Sequence, residues 1–311
     1  MQTTSYSPAC YFRDAAAVGV QSILFHNSFK SIDRSTASLA RSAELAICAS
    51  RCSRVVLSLG DSSPEPCLTR EHLALLTQRY GHLVDIRYDF FDANMGSAAG
   101  HNRLAESNDC DFYLIRNPDV VVSPRLLEVM TEAFRRPNVG MVEAKQLPIE
   151  HPKDYDATTG DTSWATTACA MIPSEVFRRI GGFDARSFFL YCDDVDFSWM
   201  VRRAGLRVIF QPAAMAFHDK RLSPTGQWQP SAAERYYSAE AALFLAHKWS
   251  RPDLVERYLN DFAKSGSRDL IRAHDTYQSR RANNALPAPI DAEHKVGTFV
   301  ESMYAVHRYP L

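Results

Sequence analysis

Three carboxylates, Asp193, Asp194 and Asp196, lie within the run LYCDDVDFSW (190–199), among apolar and aromatic residues. An ionised carboxylate can act as general base on a hydroxyl, and a cluster of them can face a cation. The competing reading is a helix start, where the dipole favours ionised acids and one aspartate caps the first turn. Capping accounts for one of the three and leaves the aromatic residues before them, Phe188, Phe189 and Tyr191, unexplained. With Trp164, these form a candidate platform for a ligand ring, although ordinary core packing is the stronger reading for at least two of the four.

Other chemistry-bearing residues follow β-rich runs. In RNPDVVVSP, Pro118 stiffens the bend between Asn117 and Asp119, fixing a carboxylate that can hold a hard divalent cation and phosphate oxygens together. A plain turn with Ser123 capping the next helix explains the same residues equally well. In GDSSPEP, Asp61 can accept hydrogen bonds from a nucleobase or ribose, but an Asx-turn is the stronger reading. FDANMGSAAGHN places Asn94, Gly96, Gly100 and Asn102 at a strand-to-helix turn suited to a diphosphate, without the GxGxxG spacing of a dinucleotide site. His26 and Asn27 end the first β-rich run. His218 ends LRVIFQPAAMAFH, where a lone histidine is more often structural than a ligand.

The elements that must position these residues alternate. β-rich runs at 20–26, 54–59, 83–90, 111–116 and 139–144 are separated by stretches with helical apolar spacing. That pattern predicts βαβ units and a mostly parallel sheet flanked by helices, with ligands beyond the strands' carboxyl ends. After residue 150 the pattern predicts a strand in TSWATTACAMI, a helix in VDFSWMVRRAG and a strand in LRVIFQP. From Ser231 onward it predicts a helical appendage: SAAERYYSAEAALFLAHKWS, PDLVERYLNDFAKSG and a piece around 292–306, broken by NNALPAPID.

Composition narrows the classes. The 311 residues carry 35 basic and 36 acidic side chains in a scattered arrangement, which argues against a nucleic-acid partner. Seven cysteines without a CxxC pair fit a reducing cytoplasm. The N-terminus lacks signal-peptide character, and no apolar run reaches the roughly 18 residues that span a bilayer.

The order of the segments NMGSAAGHN, LIRNPDVVVSP, SWATTACAMIP, IGGFDARSFFLYCDDVDFSWMVRRAG and QPAAMAFHD resembles the family 2 nucleotide-sugar glycosyltransferases, especially bacterial rhamnosyltransferase-like members, over about residues 20–220. The resemblance implies an α/β GT-A fold: a catalytic domain at 1–228, with a nucleotide-binding half near 18–122 and an acceptor half near 123–228, and a helical extension at 229–311. It implies inverting transfer from a nucleotide-diphosphate sugar, dTDP-L-rhamnose or a UDP-hexose, to a saccharide or lipid-linked acceptor in bacterial surface polysaccharide synthesis. A divalent metal, Mn2+ or Mg2+, would be held by Asp119 and His218, with Asn117 in place of the first acid of the DxD motif. Asp194 matches the presumed base and Asp193 its partner. His26, Asn27, Asp61, Asn94, Gly96, Asn102 and Asn117 fall to the donor; Trp164, Phe189 and Tyr191 fall to the acceptor. Two departures are visible: Met200 stands where many relatives carry arginine, and Ala168 where glycine is usual. The expected location is cytoplasmic, with at most peripheral contact at the inner face of the cell membrane and a possible homodimer through the C-terminal helices. Two alternatives remain: a catalytically silent sugar-nucleotide or glycan-binding module, and a nucleotidyltransferase. The latter would need a basic, Gly-rich loop after the first strand, and HNSFKSID is a poor one.

Overall fold

The computed structural model describes residues 9–218, 230–300 and 303–304. Strands β1 (Ala16–Leu24), β2 (Cys52–Asp61), β3 (Asp85–Phe90) and β4 (Phe112–Arg116) alternate with helices α1 (Phe29–Cys48), α2 (Arg70–Tyr80) and α3 (Gly96–Glu106). The next elements are β5 (Val120–Val122), α4 (Leu126–Ala133), β6 (Val139–Leu147), β7 (Cys169–Pro173), α5 (Ser174–Ile180), α6 (Asp193–Arg203) and β8 (Arg207–His218). Helices α7 (Ala232–Lys248), α8 (Pro252–Lys264) and α9 (Arg268–Ala282) close the chain.

One eight-stranded sheet runs in the order β3-β2-β1-β4-β7-β6-β8-β5. Its first four strands pair in parallel, β7 runs antiparallel to both neighbours, and β5 runs antiparallel to β8. Because β7 reverses twice, β6 and β8 point the same way as β1–β4. The carboxyl ends of six strands and the start of β7 therefore share one edge. All five residues of β4 are buried, as expected for a strand covered on both faces.

The apolar residues form two clusters. One holds the sheet against α1, α4 and α5; the other joins α6 to α7–α9 through Val195, Trp199, Leu243, Phe244, Trp249 and Leu259. The C-terminal helices thus share a core with the helix that carries the acids. Two expectations shift in position. The strand expected across TSWATTACAMI is confined to Cys169–Pro173, and the third C-terminal helix is α9, whereas the described residues from 292 onward form turns and a bridge between Val300 and Met303. Among the described residues, no helix is long and apolar enough to cross a membrane.

Candidate functional site

Strand register brings the first pair of side chains together. Val120 pairs with His218 across β5 and β8, which sets Asp119, one residue earlier, beside the imidazole. Asp119 Oδ1 lies 3.5 Å from His218 Nε2, and Asn117 Nδ2 lies 3.2 Å from the same nitrogen. Gln146, near the end of β6, places its Oε1 3.2 Å from His218 Nδ1. In this arrangement the amide oxygen accepts from Nδ1, so Nε2 keeps its lone pair toward Asn117 and Asp119. Below them the fully buried Arg116 guanidinium donates to the Ser35 and Val120 carbonyls, and burial lowers its pKa to about 10.

The start of β7 ties this corner to the acids. Asn117 N–H donates to the Ala168 carbonyl, and the neighbouring Thr167 N–H reaches Asp194 Oδ2 at 3.4 Å. Ser198, one turn along α6, donates to the Asp194 carbonyl and accepts from Ala165 N–H. Asp194 is half-buried and Asp193 almost fully buried at 3% exposure. Burial raises the Asp194 carboxyl above its ordinary value, while the Val195 and Thr167 amides and the Lys153 ammonium oppose the rise. Burial, together with Asp194 alongside, pushes Asp193 up to about 7, and Asp193 Oδ2 has no hydrogen-bond partner. The two acids titrate as one coupled pair.

The backbone that delivers them is strained. Tyr191 and Cys192 both have positive φ, 65° and 54°, immediately before α6, a conformation disfavoured for bulky L-residues. Cys192 takes the N-cap position without a side-chain capping hydrogen bond. The capping reading of the acids therefore gives way to three separate environments. Asp196 turns away, accepting from Lys248 Nζ at 2.8 Å and Trp249 Nε1 at 2.9 Å, and so fastens α6 to α7.

Helix α3 meets the same segment. Gly96 has φ of 68°, and an added Cβ would lie 2.4 Å from the Phe189 carbonyl oxygen, so only glycine fits there. Ser97 N–H donates to that carbonyl, and the Ser97 side chain bonds Asp193. Asn94 is exposed and accepts from Gly96 N–H. Asn102 faces elsewhere: its amide oxygen accepts from Phe183 N–H and its nitrogen donates to the Phe183 carbonyl, both at 2.8 Å, so it clamps the GGFD turn instead of facing a donor.

Asp61 also turns inward. Its carboxylate is fully buried and accepts from Ser63 N, Cys67 N and Tyr88 Oη. This is the Asx-turn reading; although burial alone would raise its pKa, those hydrogen bonds hold it below the ordinary value. Ser63 Oγ in turn accepts from the N–H of the exposed His26, and Ser62 Oγ from Met95 N–H, so the loops after β1, β2 and β3 form one connected rim. Asn27 caps its own loop by accepting from Phe25 N–H.

Of the expected acceptor aromatics, Trp164 is buried at 1% exposure among Lys153, His151 and Tyr304, which is core packing, not an open platform. Phe189 is half-buried and stacks on Tyr237 at 4.9 Å, and Tyr191 is half-buried beside it. Met200 packs against the C-terminal cluster. The sequence reading missed Gln146, Glu143 and Lys153. Glu143 had one visible signal, a charge inside the otherwise apolar run VGMVEA, which requires a buried partner.

Among the described residues, no three or more His, Cys, Asp and Glu side chains cluster as a ready metal site. Two donors, Asp119 and an oriented His218, fit a cation that completes its shell with diphosphate oxygens.

No family model matches the chain. Among curated proteins it is similar to the N-acetylglucosaminyl-diphospho-decaprenol L-rhamnosyltransferase of Mycobacterium tuberculosis, 24% identical over 194 residues, covering 51% of this chain and 62% of that protein. The match thus spans less than two thirds of that relative's length. Among solved structures it is similar to GalNAc-T7 with UDP, GalNAc and Mn2+, at a TM-score of 0.60 and 11% identity, covering 88% of this chain and 55% of that one. It is also similar to the mannosyltransferase PcManGT of Pyrobaculum calidifontis with GDP-Man and Mn2+, at a TM-score of 0.54 and 15% identity, covering 89% and 83%. The fold is therefore GT-A, the architecture of nucleotide-sugar glycosyltransferases. Within that fold the chain resembles the family 2, rhamnosyltransferase-like enzymes.

Proposed function

We propose that the protein transfers a sugar, with inversion, from a nucleotide-diphosphate donor, dTDP-L-rhamnose or a UDP-hexose, to a saccharide or lipid-linked acceptor of a bacterial surface polysaccharide. The observation that carries this reading is the joining of Asp119 and His218 to Asp194 through the Asn117–Ala168 and Thr167–Asp194 hydrogen bonds. Displacing a nucleoside diphosphate requires the leaving group's charge to be neutralised and the attacking hydroxyl to be deprotonated.

Asp194 takes the hydroxyl proton; it is partly exposed and held in place by two backbone amides. Asp193, behind it, orients the pair and the donor side through Ser97. Asp119 and His218 would hold a divalent cation, whose contribution when bound is to neutralise the diphosphate. The rim of His26, Asn27 and Asn94, with the Gly96 turn and Asn117, receives the nucleotide and diphosphate, while Asp61 holds the rim from within. Phe189 and Tyr191 remain the aromatic surface for the acceptor. A cytoplasmic location follows from such a donor.

A panel of nucleotide sugars tests the proposal, read by nucleoside diphosphate release with Mn2+, with Mg2+ and with chelator. Metal-dependent release from at least one donor is expected. Tight donor binding with no release from any of them would favour the silent binding module.

A further inference from the structure

Helix α1 turns a row of hydroxyls toward the segment that carries Asp119. Ser35, Ser38 and Ser42 recur three and four residues apart, which places them on one face. The Ser35 hydroxyl donates to the Val120 carbonyl at 2.8 Å, while Val122 N–H donates to Ser38 Oγ and Leu127 N–H to Ser42 Oγ, both at 3.1 Å. Arg116, at the end of β4, donates to the same Val120 carbonyl at 3.4 Å and to the Ser35 carbonyl at 3.2 Å. The carbonyl of the residue after Asp119 thus joins α1, β4 and β5.

Strand β5 depends on such contacts. It has three residues and lies at the end of the sheet, with β8 as its one strand neighbour. A ladder this short returns few hydrogen bonds against the backbone entropy of ordering it. Side chains of α1 and β4 therefore take the Val120 carbonyl and the Val122 N–H. Val120 is also the residue paired with His218, so the placement of β5 decides how Asp119 meets the imidazole. The polar choice is costly for a core. Ser35 and Ser42 are buried, and Arg116 is 1% exposed with Nε unpartnered, in a strand where Phe112 and Leu114 are apolar and buried. Apolar side chains at these places would pack without that desolvation cost.

The geometry points to Ser35, Ser38 and Arg116 as positioning residues that fix β5 against β8 and so set the Asp119–His218 pair for a cation. The inference rests on the cation reading of that pair in the proposed transfer, although the placement of β5 can be read without metal or turnover.

The test uses the full chain as two variants, Arg116→Met and the double change Ser35→Ala with Ser38→Ala. Each leaves the Val120 carbonyl one of its two donors, and in Arg116→Met the Ser35 carbonyl keeps the Ser38 hydroxyl, so both should melt cooperatively. Mn2+ affinity in the presence of UDP or dTDP, read by the free-Mn2+ electron paramagnetic resonance signal, should fall on the order of tenfold in each. Hydrogen–deuterium exchange of the metal-free chain should quicken in β5 and in the paired end of β8, with little change elsewhere. A lowered melting temperature with wild-type Mn2+ affinity would show a purely structural role and overturn the inference, as would unchanged exchange in β5. If Arg116→Met does not fold, the serine double variant decides on the same two readings. Faster exchange confined to β5 and β8, in a protein that binds no Mn2+ with either nucleotide, would overturn the cation reading of Asp119 and His218 while leaving the placement of β5 by α1 and Arg116 intact.

Discussion

At the scale of single residues, one stretch contains three acids with three different physical lives. Asp196 is spent on Lys248 and Trp249, Asp194 is half-exposed and held by amides, and Asp193 is buried with one oxygen unpartnered. The buried one has a measurable consequence. Its carboxyl is raised to about 7 in the folded chain from an ordinary value of 3.8. The folded state therefore holds a proton that the unfolded state has already lost, and stability falls as pH climbs through that window. Asp193→Asn should remove the loss: its melting temperature relative to wild type should rise between about pH 4 and about pH 7, as read by scanning calorimetry. A difference that does not change with pH would show that Asp193 is already ionised in the fold. A second residue-scale expectation concerns the cation. Asp119→Asn and His218→Ala should each weaken Mn2+ binding in the presence of a nucleoside diphosphate by on the order of tenfold or more, measured by the free-Mn2+ electron paramagnetic resonance signal.

At the scale of elements, the site depends on how segment ends abut. Gly96 is packed so closely on the Phe189 carbonyl that Gly96→Ala must displace either α3 or the turn leading into α6. That variant should lose most donor turnover while melting cooperatively, as followed by product release and circular dichroism. Lys248 is only 12% exposed between Asp184 and Asp196, and removing one partner of such a buried set costs about 3–5 kcal/mol. Urea unfolding of Lys248→Met measures that cost. Much at this scale was legible in the sequence. The β/α alternation and the α6 helix were readable because apolar spacing distinguishes period 2 from period 3.6. Helix α9 was not, because its buried face is only Leu270, Ala273 and Tyr277 within a strongly charged stretch. Asp119 and His218 stood out as candidates by type, but their proximity is a matter of β5–β8 register between residues nearly a hundred positions apart, which no local pattern encodes. Asp61 and Asn102 misled for a related reason: a polar side chain after a strand can serve a ligand or the fold, and only the partner tells which. Lys153 was invisible because its partner lies on another element.

At the scale of the whole molecule, the C-terminal helices pack on the helix that carries the acids. Residues from both sides fill one cluster, with Trp199 of α6 against Trp249 at 5.2 Å and Phe299 at 5.1 Å. Arg202 at the end of α6 donates to the Val296 carbonyl and to Thr298, clasping the segment that follows α9. Ending the chain before α7 would expose that cluster and leave Asp196 buried without its cation. Such a truncated protein should bind a hydrophobic dye strongly and lose its cooperative melt; a compact monomer with an ordinary melt would show that the helices are dispensable. Their apolar faces are turned inward, against α6.

In the proposed transfer, Asp194 is the group that activates the acceptor. The most direct measurement compares wild type with Asp194→Asn in donor binding by calorimetry and in sugar transfer with the best donor of the panel. We expect equal binding and a loss of transfer on the order of 10²-fold or more. Transfer by the variant at the wild-type rate would contradict it.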